Sequence, residues 1–136
     1  MVFNSLTLTM IDIYEFLQTH SILYQKFEHP AVFTCEESDK LPPMPGEPTK
    51  NLFLRDKNGE RHFLVSVGHD KSVDLAALKT VLQVSKLSFA SPDRLKKYLG
   101  VEPGSVTILG IINDPDHAVE VILDENLGGK SLQCHP

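Results

Sequence analysis

The 136-residue chain contains no tryptophan and only two cysteines, Cys35 and Cys134. They lie far apart and form no CxxC pair, so the sequence offers neither a disulfide framework nor a cysteine zinc motif, and this usage is typical of a reducing cytosol. No apolar run approaches the roughly 20 residues of a membrane-spanning helix. The N-terminus also lacks the basic segment and uninterrupted apolar core of a secretory signal. We therefore expect a cytoplasmic protein without a membrane partner.

Positive charge is scarce as well. The chain has 13 Lys and Arg against 18 Asp and Glu, which gives a net charge of −5. This balance disfavours broad, non-specific binding to nucleic acid and leaves room for a local basic patch. The six histidines show neither HxxxH nor HxH spacing, so we expect no metal site and no cofactor. The sequence also contains no GxSxG, P-loop or GxGxxG motif.

Length and composition favour one soluble domain that spans residues 1–136. The hydrophobic content is 41% and the charged content 23%, as in ordinary globular proteins. Hydrophobic periodicity and capping residues predict helices and strands in alternation. We predict helices over 5–20 with Thr9 as N-cap, 35–41, 72–82 with Ser72 as N-cap, and 91–100 with Ser91 as N-cap and Gly100 past the end. We predict strands over 22–29, 51–56, 62–68, 105–113 and 118–125.

Two turn signals organise these elements. Asn58-Gly59 between the second and third predicted strands is the strongest short hairpin signal and predicts an antiparallel pair. The stretch "DPDH" predicts a turn between the last two strands. The order of elements indicates an α/β or α+β fold, with a mixed, mostly antiparallel sheet and packed helices.

Lys50 is the first candidate for chemistry. It stands at the start of a predicted strand, directly after the proline-rich loop 42–48. Most lysines at a strand edge are simply solvated. The rigid loop, however, delivers this ammonium to the mouth of a sheet, where it can bind a phosphate or a developing oxyanion.

Two other features have a structural and a functional interpretation. The turn around Gly104 and Ser105 can be a tight left-handed turn, or it can present backbone N–H groups to an anion. Arg94 and Lys97 share a helix face, which is usually solvated but can contact a nucleic-acid backbone. The two cysteines lack a base and an orienting group, so small buried thiols are the favoured interpretation.

Five segments resemble one known family: "FEHPAVFTCEES", "PTKNLFLRDKNGE", "LSFASPDRLKKYLGVEPGSVT", "IINDPDHAVEVILDE" and the closing "CHP". They stand in the order found in the YbaK/prolyl-tRNA-synthetase-associated domain family, and the similarity is closest to its stand-alone ProXp-ala/PrdX branch. It covers the chain from Tyr24 to its last residue. Relatives generally continue past "HP" with an Asn/Thr-containing segment and a final helix, so the resemblance implies a domain that is short at its C-terminus.

The resemblance implies a metal-independent deacylase that edits mischarged tRNA(Pro), with Ala-tRNA(Pro) as the expected substrate and prolyl-tRNA synthetase as an expected partner. Alternatives are another mischarged substrate, such as Cys-tRNA(Pro) or Ser-tRNA, and a non-catalytic tRNA-binding module. In such enzymes the substrate's own ribose hydroxyl and backbone groups activate the water.

The family's site residues fall on particular positions of this chain. The resemblance places its central lysine at Lys50, where it anchors the acylated 3′ end of the tRNA. The substrate-binding residues would be Asn51, Gly104, Ser105, His135 and Phe33, with Phe53 and Val65 as further candidate pocket walls. Arg94 and Lys97 would contact the acceptor end of the tRNA.

Overall fold

The computed structural model describes residues 12–26 and 45–134. The α-helices of these residues are α1 (Ile13–Thr19), α2 (Leu75–Leu82) and α3 (Pro92–Leu99), and the strands are β1 (Thr49–Arg55), β2 (His62–Gly68), β3 (Ser88–Phe89) and β4 (Val119–Leu123). Two 3₁₀ helices, Ile108–Asn113 and Glu125–Leu127, complete the regular elements of this part of the chain. None of its helices is both long and apolar enough to span a bilayer.

The four strands form one mixed sheet in the order β3-β1-β2-β4. β1 pairs antiparallel with β2 and with β3, whereas β2 pairs parallel with β4. Two of the three pairings are thus antiparallel, and the helices pack on this sheet. This confirms the predicted α+β class and its mixed, mostly antiparallel sheet.

The predicted hairpin between β1 and β2 is confirmed. Its turn contains Gly59 at φ +70°, a left-handed conformation that glycine adopts without strain. The Asp56 carboxylate accepts hydrogen bonds from the backbone N–H groups of Glu60 and Arg61 at 2.9 and 3.2 Å. A Cβ at Gly59 would stand 2.7 Å from a guanidinium nitrogen of Arg94, so the end of the Arg94 side chain would have to move to admit another residue.

Strand alternation divides the core between the two faces of the sheet. On one face, Phe53 and Leu64 pack against Leu95 and Leu99 of α3. On the other face, a second cluster of buried strand residues packs against the leucines of α2; its strand members are Leu54, Phe63, Val65 and Val67. α2 and α3 therefore cover opposite faces of one sheet.

The helix ends test the predicted caps. Ser91 caps α3 as predicted: its hydroxyl accepts a hydrogen bond from the Arg94 N–H, and Gly100 follows the helix at φ +68°. The predicted cap Ser72 is wrong for α2, and Thr9, the predicted cap for α1, lies outside the described residues. Asp74 and Asp12 cap these helices, because each carboxylate accepts two backbone N–H bonds from the first turn.

The predicted strand 105–113 is also wrong. Thr107 accepts the Leu109 N–H at 3.2 Å and starts a 3₁₀ helix over 108–113. After it, the Asp114 carboxylate accepts the N–H groups of Ala118 and Val119 at 3.0 and 2.8 Å. The chain therefore reverses without a hairpin, and β4 pairs with β2.

Two further predictions concern the N-terminal third. Residues 22–26 of the predicted strand 22–29 form no strand. The other residues of that strand and the predicted helix 35–41 lie outside the described residues. The proline-rich loop is described only from Pro45 onward, where it is irregular except for a single bridge between Glu47 and Leu132.

Candidate functional site

The start of β1 lies beside a distant part of the chain. The Glu47 N–H donates to the Ser131 carbonyl at 2.8 Å, and the Gln133 N–H donates to the Glu47 carbonyl at 2.9 Å. The Thr49 hydroxyl then donates to the Gln133 carbonyl at 2.8 Å. These bonds hold the segment 131–133 alongside residues 47–49. The predicted site residue His135 follows two positions later and, like Phe33, lies outside the described residues.

Lys50 is half-buried on β1 and lies opposite Val67 of β2. Alternation along the strand puts its side chain on the face of α2 and that of Asn51 on the face of α3. Among residues 12–26 and 45–134, no carboxylate forms an ion pair with the Lys50 ammonium. The positive charge is therefore not neutralised by a described side chain and can meet an anionic ligand.

Asn51 connects three parts of the molecule. Its Oδ1 accepts a hydrogen bond from the hydroxyl of Ser66, its partner on β2. Its Nδ2 donates to the carbonyl of Val106 at 3.5 Å. Val106 directly follows the turn that contains Gly104 and Ser105. The structure therefore brings Asn51 and this turn together through one amide, whereas the Lys50 side chain lies on the other face of the sheet.

The turn itself is open to solvent. The Ser105 N–H donates to the Glu102 carbonyl at 3.0 Å. Gly104 adopts φ +86°, and a Cβ placed there would meet no atom within 4 Å. The predicted left-handed turn is confirmed, and its exposed apex leaves room for a ligand above the backbone.

Arg94 and Lys97 share a helix and differ in their surroundings. Nη1 of Arg94 donates to the Gly59 carbonyl at 3.3 Å and lies 3.0 Å from Nε2 of His62. Lys97 is exposed, and its Nζ lies 5.2 Å from the centre of the Tyr98 ring. Arg94 therefore ties α3 to the β1–β2 hairpin, whereas Lys97 presents its charge to solvent.

His62 is the buried histidine of the sheet, with 1% of its surface exposed. Its ring lies 4.1 Å from the Tyr98 ring and 5.7 Å from the Phe53 ring, measured between centroids. Burial and, second, the neighbouring Arg94 guanidinium lower the pKa of His62, because both disfavour the protonated ring. The histidine is thus a neutral hydrogen-bond acceptor for Arg94 near pH 7.

The predicted pocket walls Phe53 and Val65 lie apart. Phe53 belongs to the cluster on the α3 face and Val65 to the cluster on the α2 face, and both side chains are buried. They cannot line one common pocket, so that prediction is wrong.

An apolar groove of about 400 Å³ lies between α1 and the 3₁₀ helix at 108–113. Phe16, Leu17, Ile108 and Ile112 are among its lining residues, and none of the predicted site residues within 12–26 and 45–134 lines it. Its carboxylate, Asp114, is committed to two backbone N–H groups. His117 is the other polar side chain among its described lining residues, which are otherwise apolar.

Nucleophilic and metal chemistry find no support in the described residues. Burial raises the pKa of the Cys134 thiol, so this cysteine is protonated at neutral pH and is a poor nucleophile. No group of three or more metal-binding side chains occurs among residues 12–26 and 45–134.

Ser66 was missed by sequence reasoning. It is the single hydroxyl in the otherwise apolar core of "HFLVSVG", and alternation from the buried Leu64 places it on the same face. A polar residue at such a position needs a hydrogen-bond partner, which was the available signal. The partner, Asn51, became visible only with the strand register.

Comparison with known proteins bears on this site. The model of a family described as the aminoacyl-tRNA editing domain matches residues 29–136. The chain is 44% identical over 117 residues to the prolyl-tRNA editing protein ProX of Acetoanaerobium sticklandii, a match that covers 85% of this chain and 71% of that protein. It is 38% identical over 129 residues to prolyl-tRNA synthetase associated domain-containing protein 1 of Danio rerio, covering 92% of this chain and 70% of that protein.

A solved structure has a similar fold. It comes from work on epitope backbone grafting by computational design onto scaffold proteins, and the match has a TM-score of 0.65 and 22% sequence identity. The match covers 85% of this chain and 70% of that structure.

Proposed function

The chain belongs to the aminoacyl-tRNA editing domain family, and from this premise we propose that it hydrolyses mischarged tRNA(Pro) in the cytoplasm, with Ala-tRNA(Pro) as its substrate. The observation that supports this most directly is the 44% identity to a protein named for prolyl-tRNA editing. That likeness extends over 85% of the chain, and the family model covers Lys50, Asn51 and the turn at 102–105.

A physical limit on amino-acid selection by synthetases explains why such a hydrolase is needed. A pocket shaped for proline cannot fully exclude alanine, because each methylene that a smaller apolar side chain lacks reduces binding by only about 1–3 kcal/mol. A synthetase with such a pocket attaches alanine to tRNA(Pro) at an appreciable rate. A second, hydrolytic site is then needed to remove the wrong amino acid. The same logic makes prolyl-tRNA synthetase the proposed source of the substrate.

Hydrolysis adds the oxygen of water to the ester carbonyl carbon and breaks the bond from that carbon to the ribose oxygen. The proton lost by water passes to the ribose oxygen, so the products are free alanine and uncharged tRNA. Negative charge develops on the carbonyl oxygen during the attack. In our proposal the Lys50 ammonium, which no described carboxylate neutralises, binds the terminal phosphate or this oxygen.

In our proposal Asn51 and the turn contribute to the binding site from the α3 face of the sheet, and the Lys50 side chain contributes from the α2 face. The second N–H of the Asn51 amide can donate to the ribose or the ester of the substrate. The exposed backbone at Gly104 and Ser105 can contact the terminal nucleotide, because nothing packs above it. The resemblance assigns His135 to the substrate site as well, and this residue lies outside the described part of the chain.

In our proposal the protein contacts the body of the tRNA at few points. The net charge of −5 disfavours an extensive phosphate-binding surface. In our proposal Lys97, which is exposed, contacts the acceptor stem. Arg94 is half-buried and committed to Gly59 and His62, so it contributes to this surface mainly by holding α3 in place.

The experiment is a substrate panel. Purified protein is incubated with tRNA(Pro) that carries labelled alanine, cysteine, serine or proline, and the loss of each ester is followed over time. Selective loss of Ala-tRNA(Pro) supports the proposal, and selective loss of another ester names a different substrate. Binding without turnover would instead indicate a tRNA-binding module. The Lys50→Ala protein is the matched control for contaminating esterase.

A further inference from the structure

The buried contact between Ser66 and Asn51, together with the Val106 carbonyl, determines how the Asn51 amide is oriented. Ser66 has 1% of its surface exposed, and its hydroxyl donates to Asn51 Oδ1 across the β1–β2 pair. On the other side of the amide, Nδ2 donates to the Val106 carbonyl. The amide oxygen, an acceptor, therefore faces the hydroxyl donor of Ser66, and the amide nitrogen, a donor, faces the carbonyl acceptor of Val106.

The reversed amide would be unfavourable. Rotation by half a turn would point Oδ1 at the Val106 carbonyl oxygen, and two acceptors would then face each other without a proton between them. A serine hydroxyl can either donate or accept, so Ser66 alone would tolerate both orientations. Ser66 and the Val106 carbonyl together select one orientation, and this orientation leaves the second Nδ2 hydrogen in a fixed direction.

We propose that Ser66 is a positioning residue for the editing reaction: it fixes the Asn51 amide so that its second N–H faces the substrate, and it thereby also holds the turn at 102–105. This inference rests on the proposed function. Ser66 itself is too deeply buried to touch a tRNA, so its whole effect on catalysis must pass through Asn51. A donor held in place before the substrate arrives needs no reorientation during the reaction.

The kinetic test uses Ser66→Ala, Asn51→Ala and the double variant, measured in single turnover on the ester that the panel identifies. We expect Ser66→Ala to lower the rate of hydrolysis about five- to tenfold and to leave the affinity for tRNA within about twofold. In the Asn51→Ala background, Ser66→Ala should lower the rate less than about twofold, because its target is already absent. Full activity of Ser66→Ala, or an equal loss in both backgrounds, would overturn the proposal.

A stability control separates positioning from general damage. Val119→Ala removes methyl groups from the core cluster on the α3 face, the cluster of Phe53 and Leu64, which does not include Asn51. We expect it to lower the melting temperature at least as much as Ser66→Ala does and to keep the wild-type rate at a temperature where all variants are folded. If Val119→Ala loses activity in parallel with its stability, the lower rate of Ser66→Ala can be explained by loss of stability alone. The proposal then fails.

A spectroscopic test is independent of activity. In ¹⁵N-labelled protein, the side-chain amide of Asn51 gives a pair of proton resonances, assigned by their loss in Asn51→Ala. We expect Ser66→Ala to shift this pair and to speed the exchange of its protons with solvent. An unchanged pair would overturn the proposal. If the wild-type protein hydrolyses none of the four esters, the proposed function fails, while this measurement still decides whether Ser66 orients Asn51.

Discussion

Nη1 of Arg94 lies 3.0 Å from Nε2 of His62, and the two groups share a buried site between α3 and the β1–β2 hairpin. A guanidinium can only donate hydrogen bonds, so Nε2 must carry a lone pair. The ring proton of the neutral histidine is therefore on Nδ1. The same guanidinium nitrogen also donates to the Gly59 carbonyl, so one side chain connects the helix to the hairpin turn and to the sheet.

The protein should lose stability as the pH falls through the histidine range. The pKa of His62 is lowered in the folded protein, so the unfolded chain binds more protons between that pKa and the ordinary value of about 6.5. The free energy of unfolding is then greatest above pH 6.5 and falls as the pH is lowered, by at most about 1.4 kcal/mol per pH unit for one group. Urea unfolding at pH 7.5, 6.5 and 5.5 measures this slope.

The matched variants for this slope are His62→Gln and His69→Gln. Glutamine at position 62 keeps an acceptor near Arg94 but does not titrate, so its stability should depend less on pH. His69 is exposed, and its replacement should leave the slope unchanged. Equal slopes in wild type and His62→Gln would show that another group is responsible.

Substitutions of Arg94 and of Lys97 should differ in their effect on the stability of the fold. Arg94→Ala leaves the buried Nε2 of His62 and the Gly59 carbonyl without their donor, so we expect a loss of about 1–3 kcal/mol in the free energy of unfolding. Lys97→Ala removes an exposed charge and should change that free energy by less than about 0.5 kcal/mol. Denaturant titration of both variants tests the difference.

Lys97→Glu should weaken tRNA binding and spare hydrolysis of a minimal aminoacyl-nucleotide, because Lys97 is proposed to contact the acceptor stem and not the ester. The affinity of the wild type should fall only gently with salt, since few phosphates are contacted and each contact contributes only about −0.7 (single strand) to −0.9 (duplex) to the log–log slope. Equal losses on the full tRNA and the minimal substrate would show that Lys97 affects the site of the ester. The proposed tRNA contact would then not lie on this helix face.

Lys50→Ala should abolish deacylation and leave the protein folded. Lys50 is half-buried near the start of β1 and belongs to neither core cluster, so its truncation removes no core packing. Lys57→Ala, in the hairpin loop, is the control for a lost positive charge. Retention of more than about a tenth of the wild-type rate, which corresponds to about 1.4 kcal/mol, would remove Lys50 from the mechanism.

Chelation should not affect the reaction. In our proposal Lys50 and N–H groups stabilise the negative charge that develops on the carbonyl oxygen of the ester. The described residues contain no metal-binding cluster. We expect EDTA to leave the rate of hydrolysis unchanged and elemental analysis to find no stoichiometric zinc. Activity that is lost on chelation and restored by zinc would contradict the proposed mechanism.

Local signals predicted those elements whose structure depends on neighbouring residues. Asn58-Gly59 predicted the hairpin, and Ser91 with Gly100 predicted both ends of α3, since a turn or a cap is decided within a few residues. The segment 105–113 has the apolar run of a strand, yet it forms a 3₁₀ helix. Its conformation depends on contacts that a window of sequence does not contain, such as the Asn113 side chain donating to the Leu99 carbonyl at 2.8 Å.

The proposed site also contains residues with local sequence signals and residues whose contacts lie far apart in the sequence. Lys50 and Asn51 were predicted as site residues because a lysine at the start of a strand after a rigid loop is unusual in itself and because the resemblance pointed to the pair. Ser66 was not found, since its role depends on the register between β1 and β2. Arg94 and Lys97 look alike in sequence, and only the folded hairpin distinguishes the half-buried guanidinium from the exposed ammonium.

The parallel pairing of β2 with β4 has a consequence for the order of folding. β1 and β2 join residues that are 7 to 19 positions apart, whereas His62 pairs with Val119, 57 positions later. Closing the longer loop costs more chain entropy before any contact is gained. We therefore expect the hairpin to belong to the folding nucleus and β4 to dock after the rate-limiting step. Truncations in β4 should then accelerate unfolding and leave the refolding rate nearly unchanged.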